Sequence, residues 1–351
     1  MAIDEKKLNE LVGKMVGDVG ATMSSIGVVL GDRLGLWKAL AAEPRTSLEL
    51  ASATQCNERY VREWLDSQAA AGYVGYQPAT GRYSLSEEQA FTLADESSPA
   101  FFAGLFEVTA ACWAALDRQT ENFKTGGGIS WGHQHPCLFT GTERFFKAGY
   151  VANLVGSWLP ALDGVVDKLN RGAKVADVGC GVGASTILMA LAFPRSTFIG
   201  FDSHEGSVAL ARQRAAQQGV ADRVKFEVAK STDYPGSSYD LIAHFDCLHD
   251  MEDPSGAAKH ARRTIAPDGT WMVVEPFASD KREENHNAVG RVFYSASQML
   301  CIPHSLAHSG PALGAQAGQE RLRKVIVDDG GFSRFRRATE TPFNLILEAR
   351  P

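Results

Sequence analysis

Lys174-Val-Ala-Asp-Val-Gly-Cys-Gly-Val-Gly183 decides the reading of this chain. An apolar run enters Asp177, glycines follow at 179, 181 and 183, and a helix-forming segment continues from Ala184 to Phe193. Glycines at alternate positions let the backbone turn sharply and approach a ligand closely, because they carry no Cβ and accept positive φ. The helix behind them turns its unpaired N–H groups toward the same place. A second apolar strand, Ser196-Thr-Phe-Ile-Gly-Phe-Asp202, then ends in an acid. Strand, glycine turn, helix and strand open an α/β domain that binds a ligand at its first turn.

The glycines alone would also suit a dinucleotide enzyme, or a turn with no ligand. The two acids discriminate. An acid closing the second strand suits a pair of ribose hydroxyls. An acid at the first turn repels a pyrophosphate at short range and suits an ammonium or a sulfonium. S-adenosylmethionine has a ribose, an ammonium and a sulfonium, and no phosphate. On these residues the chain resembles the class I S-adenosylmethionine-dependent methyltransferases. The resemblance continues through Tyr239-Asp-Leu-Ile-Ala-His-Phe-Asp-Cys-Leu-His-Asp-Met251 and Ile265-Ala-Pro-Asp-Gly-Thr-Trp-Met-Val-Val-Glu275.

Composition sets the class. The chain has 351 residues, 44% hydrophobic and 22% charged, enough for a large core and more than one domain. A formal net charge of −6 argues against general nucleic-acid binding, which needs an excess of Lys and Arg. The 6 cysteines, Cys56, Cys112, Cys137, Cys180, Cys247 and Cys301, form no CxxC pair and read as reduced thiols. The first residues lead into an amphipathic helix rather than a signal segment, and no apolar run approaches the ~20 residues of a membrane span. A cytoplasmic protein without membrane contact is expected.

Residues 1–95 read as a helical, winged-helix domain. Two helices cover 3–42, with a small-residue seam at Gly27, Gly31 and Gly35. A short helix begins at Ser47, Asn57 caps a second over Glu58–Ala71, and Gly72 ends it. Tyr73–Gln77 and Arg82–Leu85 flank the turn Pro78-Ala-Thr-Gly81 as a hairpin. Between Thr46 and Leu93, three basic residues (Arg59, Arg62, Arg82) face six acids (Glu49, Glu58, Glu63, Asp66, Glu87, Glu88), which argues against DNA as a partner. The resemblance, to small-molecule O-methyltransferases and to bacterial and mycobacterial winged-helix methyltransferases, implies instead a homodimer through this domain.

Residues 96–170 alternate helical segments with the loop Thr125-Gly-Gly-Gly-Ile-Ser-Trp-Gly-His-Gln-His-Pro136, placed to close over cofactor or substrate. His133, His135 and Cys137 lack further ligands nearby, and no metal is expected there or elsewhere in the chain. Residues 171–351 read as the Rossmann-like catalytic domain, with strands near 174–178, 197–201, 224–228, 240–246 and 270–275 and two more in the tail. The resemblance implies a seven-stranded sheet of order 3-2-1-4-5-7-6. It also implies that the insertion at about 279–320 roofs the substrate pocket. That insertion reads as a helix over Asn287–Ile302, followed by Pro303-His-Ser and a glycine-dotted loop.

For the cofactor, Asp177, Gly179, Gly181 and Gly183 match the first motif, with Cys180 contributing backbone. Asp202 and Ser203 match the ribose end of the second strand. Asp246 and Cys247 follow the fourth strand, whose carboxyl end lines the ligand crevice of an open α/β sheet. Relatives place an acid for the adenine amine where this chain has Lys230, and a lysine cannot accept that bond. Ser231 or a backbone carbonyl takes the role, or the register is displaced by one residue. By position, His249 matches the family's catalytic base, with Asp246 beside it. An imidazole there takes a proton from a phenol or thiol near neutral pH, or only shapes the pocket. Met251 replaces the family's usual tryptophan. Trp131, His133, Tyr294, Met299 and His304 are the substrate candidates, as packing or as contacts. Methyl transfer to a small-molecule oxygen acceptor is the first expectation. An S-methyltransferase and a non-catalytic S-adenosylmethionine-sensing regulator are the alternatives.

Overall fold

The computed structural model describes residues 3–351. The chain divides into two compact units. One holds the residues up to Ala110 together with Cys137–Ala148, and the other holds Ala111–Pro136 with Gly149–Pro351.

The first unit is built on a long helix, Glu5–Arg33, begun by Asp4, whose carboxylate accepts from the Lys6 and Lys7 N–H groups. Leu36–Ala42 follows. Thr46 and Glu49 cap the helix Ser47–Thr54 reciprocally, and Asn57 caps Glu58–Ala70. The wing is β1, Gly75–Gln77, paired antiparallel with β2, Arg82–Ser84. Arg45 adds a third short pairing to Tyr83, which the sequence reading did not anticipate. Trp37 and Trp64 meet edge to face at 4.7 Å. Their indole N–H groups donate to the Val28 and Gly27 carbonyls of the long helix. Gly31 permits this packing, since a Cβ there would lie 2.5 Å from Trp37 Nε1 and 2.6 Å from the Trp64 ring.

The second unit contains a seven-stranded sheet of β3 (Lys174–Val178), β4 (Thr197–Asp202), β5 (Val224–Val228), β6 (Tyr239–Phe245), β7 (Ile265–Pro276), β8 (Arg334–Glu340) and β9 (Asn344–Arg350). Its order is β5-β4-β3-β6-β7-β9-β8, the order the resemblance implied. The first five strands are mutually parallel, and β9 is antiparallel to both its neighbours. Covered on both faces, the central strands read as near-continuous apolar runs. Phe201, Ile242, Trp271, Val273 and Leu347 are fully buried.

Several boundaries differ from expectation: the wing strands are shorter, β7 begins at Ile265 rather than near 270, and two further differences bear on the site. β6 ends at Phe245 because Asp246 takes φ 52°, a left-handed conformation that throws the chain out of the strand. The insertion forms two helices, Ala288–Met299 and Cys301–Ala307, so Pro303-His-Ser is helical rather than loop. Pro303 sits in the first turn of its helix, where a missing N–H costs nothing.

Candidate active site

The glycine turn lies where β3 meets the helix Ala184–Ala192. Gly183 has φ 84°, and a Cβ there would lie 2.6 Å from the Phe226 ring on β5. Gly179 has φ 75°, and a Cβ there would lie 2.7 Å from Cys247 Sγ. The glycine turn and the segment after β6 are therefore in direct contact. Gly181 N–H donates to Asp202 Oδ2 at 2.9 Å and His204 N–H to Asp202 Oδ1 at 2.9 Å, which fixes the acid at the end of β4. Asp177 is fully buried, and its Oδ2 accepts from Ser185 and Thr186 hydroxyls at 2.6 Å each. Its Oδ1 is buried and has no partner among the described residues.

Beside this turn, Leu248–Asp250 forms a single helical turn after β6. Glu275, near the end of β7, reaches across to it. Its Oε1 accepts from the Leu248 N–H at 2.8 Å and the His249 N–H at 3.3 Å, and its Oε2 lies 2.5 Å from His249 Nδ1. His249 is 4% exposed and Glu275 1%. The other ring nitrogen, Nε2, lies 3.3 Å from Cys301 Sγ in the insertion. Asp246 Oδ2 accepts from the Tyr150 hydroxyl at 3.1 Å, and its Oδ1 accepts from Asn344 Nδ2 at 2.9 Å.

These groups titrate unusually. Burial raises the Asp177 carboxyl to about 6 despite the Ser185 and Thr186 bonds, and raises Asp202 as well. Asp246 is pushed up to about 8 and Asp250 to about 7, again chiefly by burial. Burial opposes a charged His249, but the Glu275 carboxylate and Cys301 outweigh it, and the ring titrates well above its ordinary value. Asp177, Asp202, Asp246 and Asp250, at the carboxyl ends of neighbouring strands and all with raised pKa values, make this end of the sheet short of positive charge.

The comparisons agree on what such a frame is. A family model described as a methyltransferase domain matches residues 169–328, and one described as an Rv2258c-like winged HTH domain matches residues 22–95. The chain carries a class I methyltransferase domain behind a winged helix. Phosphoethanolamine N-methyltransferase 1 of Arabidopsis thaliana is 31% identical over 143 residues, 40% of this chain and 28% of its own length. The 27-O-demethylrifamycin SV methyltransferase of Amycolatopsis mediterranei is 35% identical over 131 residues, 35% of this chain and 48% of its own. The chain thus spans less than half the length of these two relatives. Human N-acetylserotonin methyltransferase, solved in complex with SAM, is similar with a TM-score of 0.72 and 16% identity, over 100% of this chain and 99% of that one. The mitomycin 7-O-methyltransferase MmcR gives 0.72 and 19%, over 99% and 100%. At such identities the likeness is one of fold.

The cofactor of a class I methyltransferase domain is S-adenosylmethionine, and the residues present fit it. The unpartnered Asp177 Oδ1 offers a buried acceptor to an ammonium, and Asp202 stands at the ribose end of β4 with Ser203 next in the chain. In this methyltransferase domain Lys230 is not available to adenine, for its Nζ pairs with Glu252 at 3.0 Å. Ser231 stays in the turn after β5, partly buried.

Of the substrate candidates, the structure pairs two. Trp131 N–H donates to His304 Nδ1 at 3.0 Å, and the two rings stand 6.2 Å apart. The glycine triplet explains that approach. Ile129 N–H bonds the Pro303 carbonyl, and a Cβ on Gly128 would lie 2.2 Å from the Ala307 backbone. Burial holds the His304 ring down at about 4, so it is neutral. Met299 lies at the end of Ala288–Met299, its carbonyl 3.5 Å from Gln134 Nε2, and Tyr294 on the same helix is 39% exposed. His133 is exposed and turned to the Ser130 hydroxyl at 2.5 Å.

Sequence reasoning missed Glu275 as the partner of His249, Tyr150 and Asn344 as the partners of Asp246, and Cys301 altogether. An acid closing a strand next to the one that carries a candidate base was the available signal for Glu275. Nothing local marked the other three.

Proposed function

We propose that the protein transfers a methyl group from S-adenosylmethionine to an acidic hydroxyl of a small molecule, with His249 as the base. The observation that carries this reading is the Glu275–His249 pair, at 2.5 Å, built on a turn that abuts the cofactor's glycine turn through Cys247 and Gly179. When bound, the cofactor's sulfonium supplies an activated methyl group for in-line displacement, and no acid is needed for its departure. Asp177 and Asp202 hold the ammonium and ribose ends, with Ser231 or a nearby carbonyl at the adenine. Glu275 keeps the proton on His249 Nδ1, and Nε2, in its deprotonated form and released from Cys301 Sγ, takes the acceptor's proton. Trp131 and His304, which meet where the glycine-triplet loop docks on the insertion, and Met299 are the residues assigned to the acceptor. The experiment is a screen of phenols, alcohols and thiols scored by release of S-adenosylhomocysteine. Turnover confined to thiols would overturn the choice of oxygen.

A homodimer and a cytoplasmic location belong to the same proposal. The helix Glu5–Arg33 exposes Leu8, Val12, Met15, Val19, Met23 and Ile26, each at least 44% accessible, at the three-to-four spacing of one helix face. A second copy of the chain would cover it. The six cysteines form no disulfide, as a reducing compartment would keep them, and no described helix is long and apolar enough to cross a membrane.

A further inference from the structure

We propose that His249 Nε2, the Cys301 thiolate and the Asp250 carboxylate form a binding site for a zinc-class divalent ion, with Glu275 holding the imidazole from behind. One donor atom from each of the three residues lies within 4.8 Å of the other two. In a tetrahedral zinc centre, bonds of about 2.05 Å to nitrogen and 2.3 Å to sulfur place those two atoms about 3.6 Å apart. His249 Nε2 and Cys301 Sγ are 3.3 Å apart, within about 0.3 Å of the separation that a shared zinc requires of that pair.

The histidine is prepared for ligation as well. Metal-bound imidazoles almost always donate their other N–H to a carboxylate, which fixes the tautomer and strengthens the ligand. Glu275 Oε2 at 2.5 Å from Nδ1 occupies that place. Cys301 is not held there by chance rotation of a loop. It begins the helix Cys301–Ala307, which is tied to the His249 turn by Ser305 Oγ donating to the Met251 carbonyl at 3.0 Å. The following loop adds Gly314 N–H to the His249 carbonyl at 3.2 Å.

The charges agree. Asp250, Glu275 and Cys301 stand around one imidazole, and a bound cation stabilises the deprotonated carboxylate and thiolate that ligate it. Thiolate and imidazole together favour zinc over magnesium or calcium, which prefer all-oxygen shells. Three protein ligands leave a fourth position open, as in zinc sites that bind water or a substrate atom. Binding would send to solvent the thiol proton and whatever protons Nε2 and Asp250 carry, and it would occupy the Nε2 lone pair. The ion would then exclude His249 from proton transfer. That consequence rests on the reading of His249 as a base, whereas the site itself does not.

Chelator-treated protein titrated with Co2+ tests the site directly. One equivalent should bind, with a thiolate-to-cobalt charge-transfer band in the near ultraviolet and the strong visible bands of tetrahedral cobalt, and Zn2+ should displace it. Cys301→Ser should abolish the charge-transfer band. Glu275→Gln should weaken Zn2+ affinity about 10–100-fold. Circular dichroism and retained S-adenosylhomocysteine binding establish that each variant is folded. Absence of stoichiometric uptake at tens of micromolar metal, or a charge-transfer band that survives in Cys301→Ser, overturns the proposal. Neither result touches the pH profile of His249, which tests the base separately.

Discussion

His249 and Glu275 form one chemical unit, and their separation in sequence explains why only half of it was legible. His249 lies inside a contiguous motif after β6, whereas Glu275 is 26 positions away and Cys301 52. Tyr150 and Asn344 reach Asp246 from 96 and 98 positions away. Contacts of that kind are made by the fold, and local sequence carries no record of them. A pH profile follows from the pair. Because Glu275 holds the His249 pKa well above 6.5, transfer to a phenol should rise with pH through an ionisation on the alkaline side of that value. In Glu275→Gln the carboxylate that opposes burial is gone and only Cys301 still favours the charged ring, so the rising limb should move to lower pH. His249→Ala should slow the phenol reaction about 10²–10⁴-fold and a readily ionised thiol far less. Equal losses for both acceptors would remove the base role.

The elements proposed to cradle the cofactor are short, apolar and glycine-punctuated, which is why their secondary structure could be read directly. Strand β3, the glycine turn and β4 are specified within about thirty residues, and each positive-φ position there is a glycine. The insertion was harder. Pro303 looked like a helix stop, yet it occupies a first turn, and its carbonyl is where the glycine triplet docks through Ile129. Gly183→Val is expected to lose cofactor binding, since the new side chain meets the Phe226 ring in a backbone conformation it cannot adopt. Isothermal titration with S-adenosylhomocysteine measures this, and unchanged affinity would mean that the turn is not the cradle. In the other unit, Gly31→Val drives a side chain between Trp37 and Trp64 and should cost about 1–3 kcal/mol, read from chemical denaturation.

At the scale of the whole molecule, the sheet order followed from the family pattern, while the partner surface is an inference from what stays exposed. Val19 and Met23 are 62% and 66% accessible on the long helix. Replacing both with Asp should convert a dimer to a monomer in analytical ultracentrifugation. A wild-type chain that sediments as a monomer at micromolar concentration would contradict the homodimer. The raised carboxyls give a second global property. Near neutral pH, Asp246 (about 8) and Asp250 (about 7) retain protons in the free protein, and a cationic ligand favours their ionised forms. Cofactor binding at pH 7 should therefore release protons, and apparent affinity should climb between pH 6 and 8. Titrations in two buffers of different ionisation enthalpy measure the release, and identical heats would show that these carboxyls do not sense the ligand.

The most direct measurement is calorimetric titration of the pure protein, and of Asp177→Asn, with S-adenosylmethionine. The account requires one site per chain and an affinity about 10–100-fold weaker in the variant, because a charge-assisted bond from a buried carboxylate is lost. No heat with folded wild-type protein, or equal affinity in both, would contradict it.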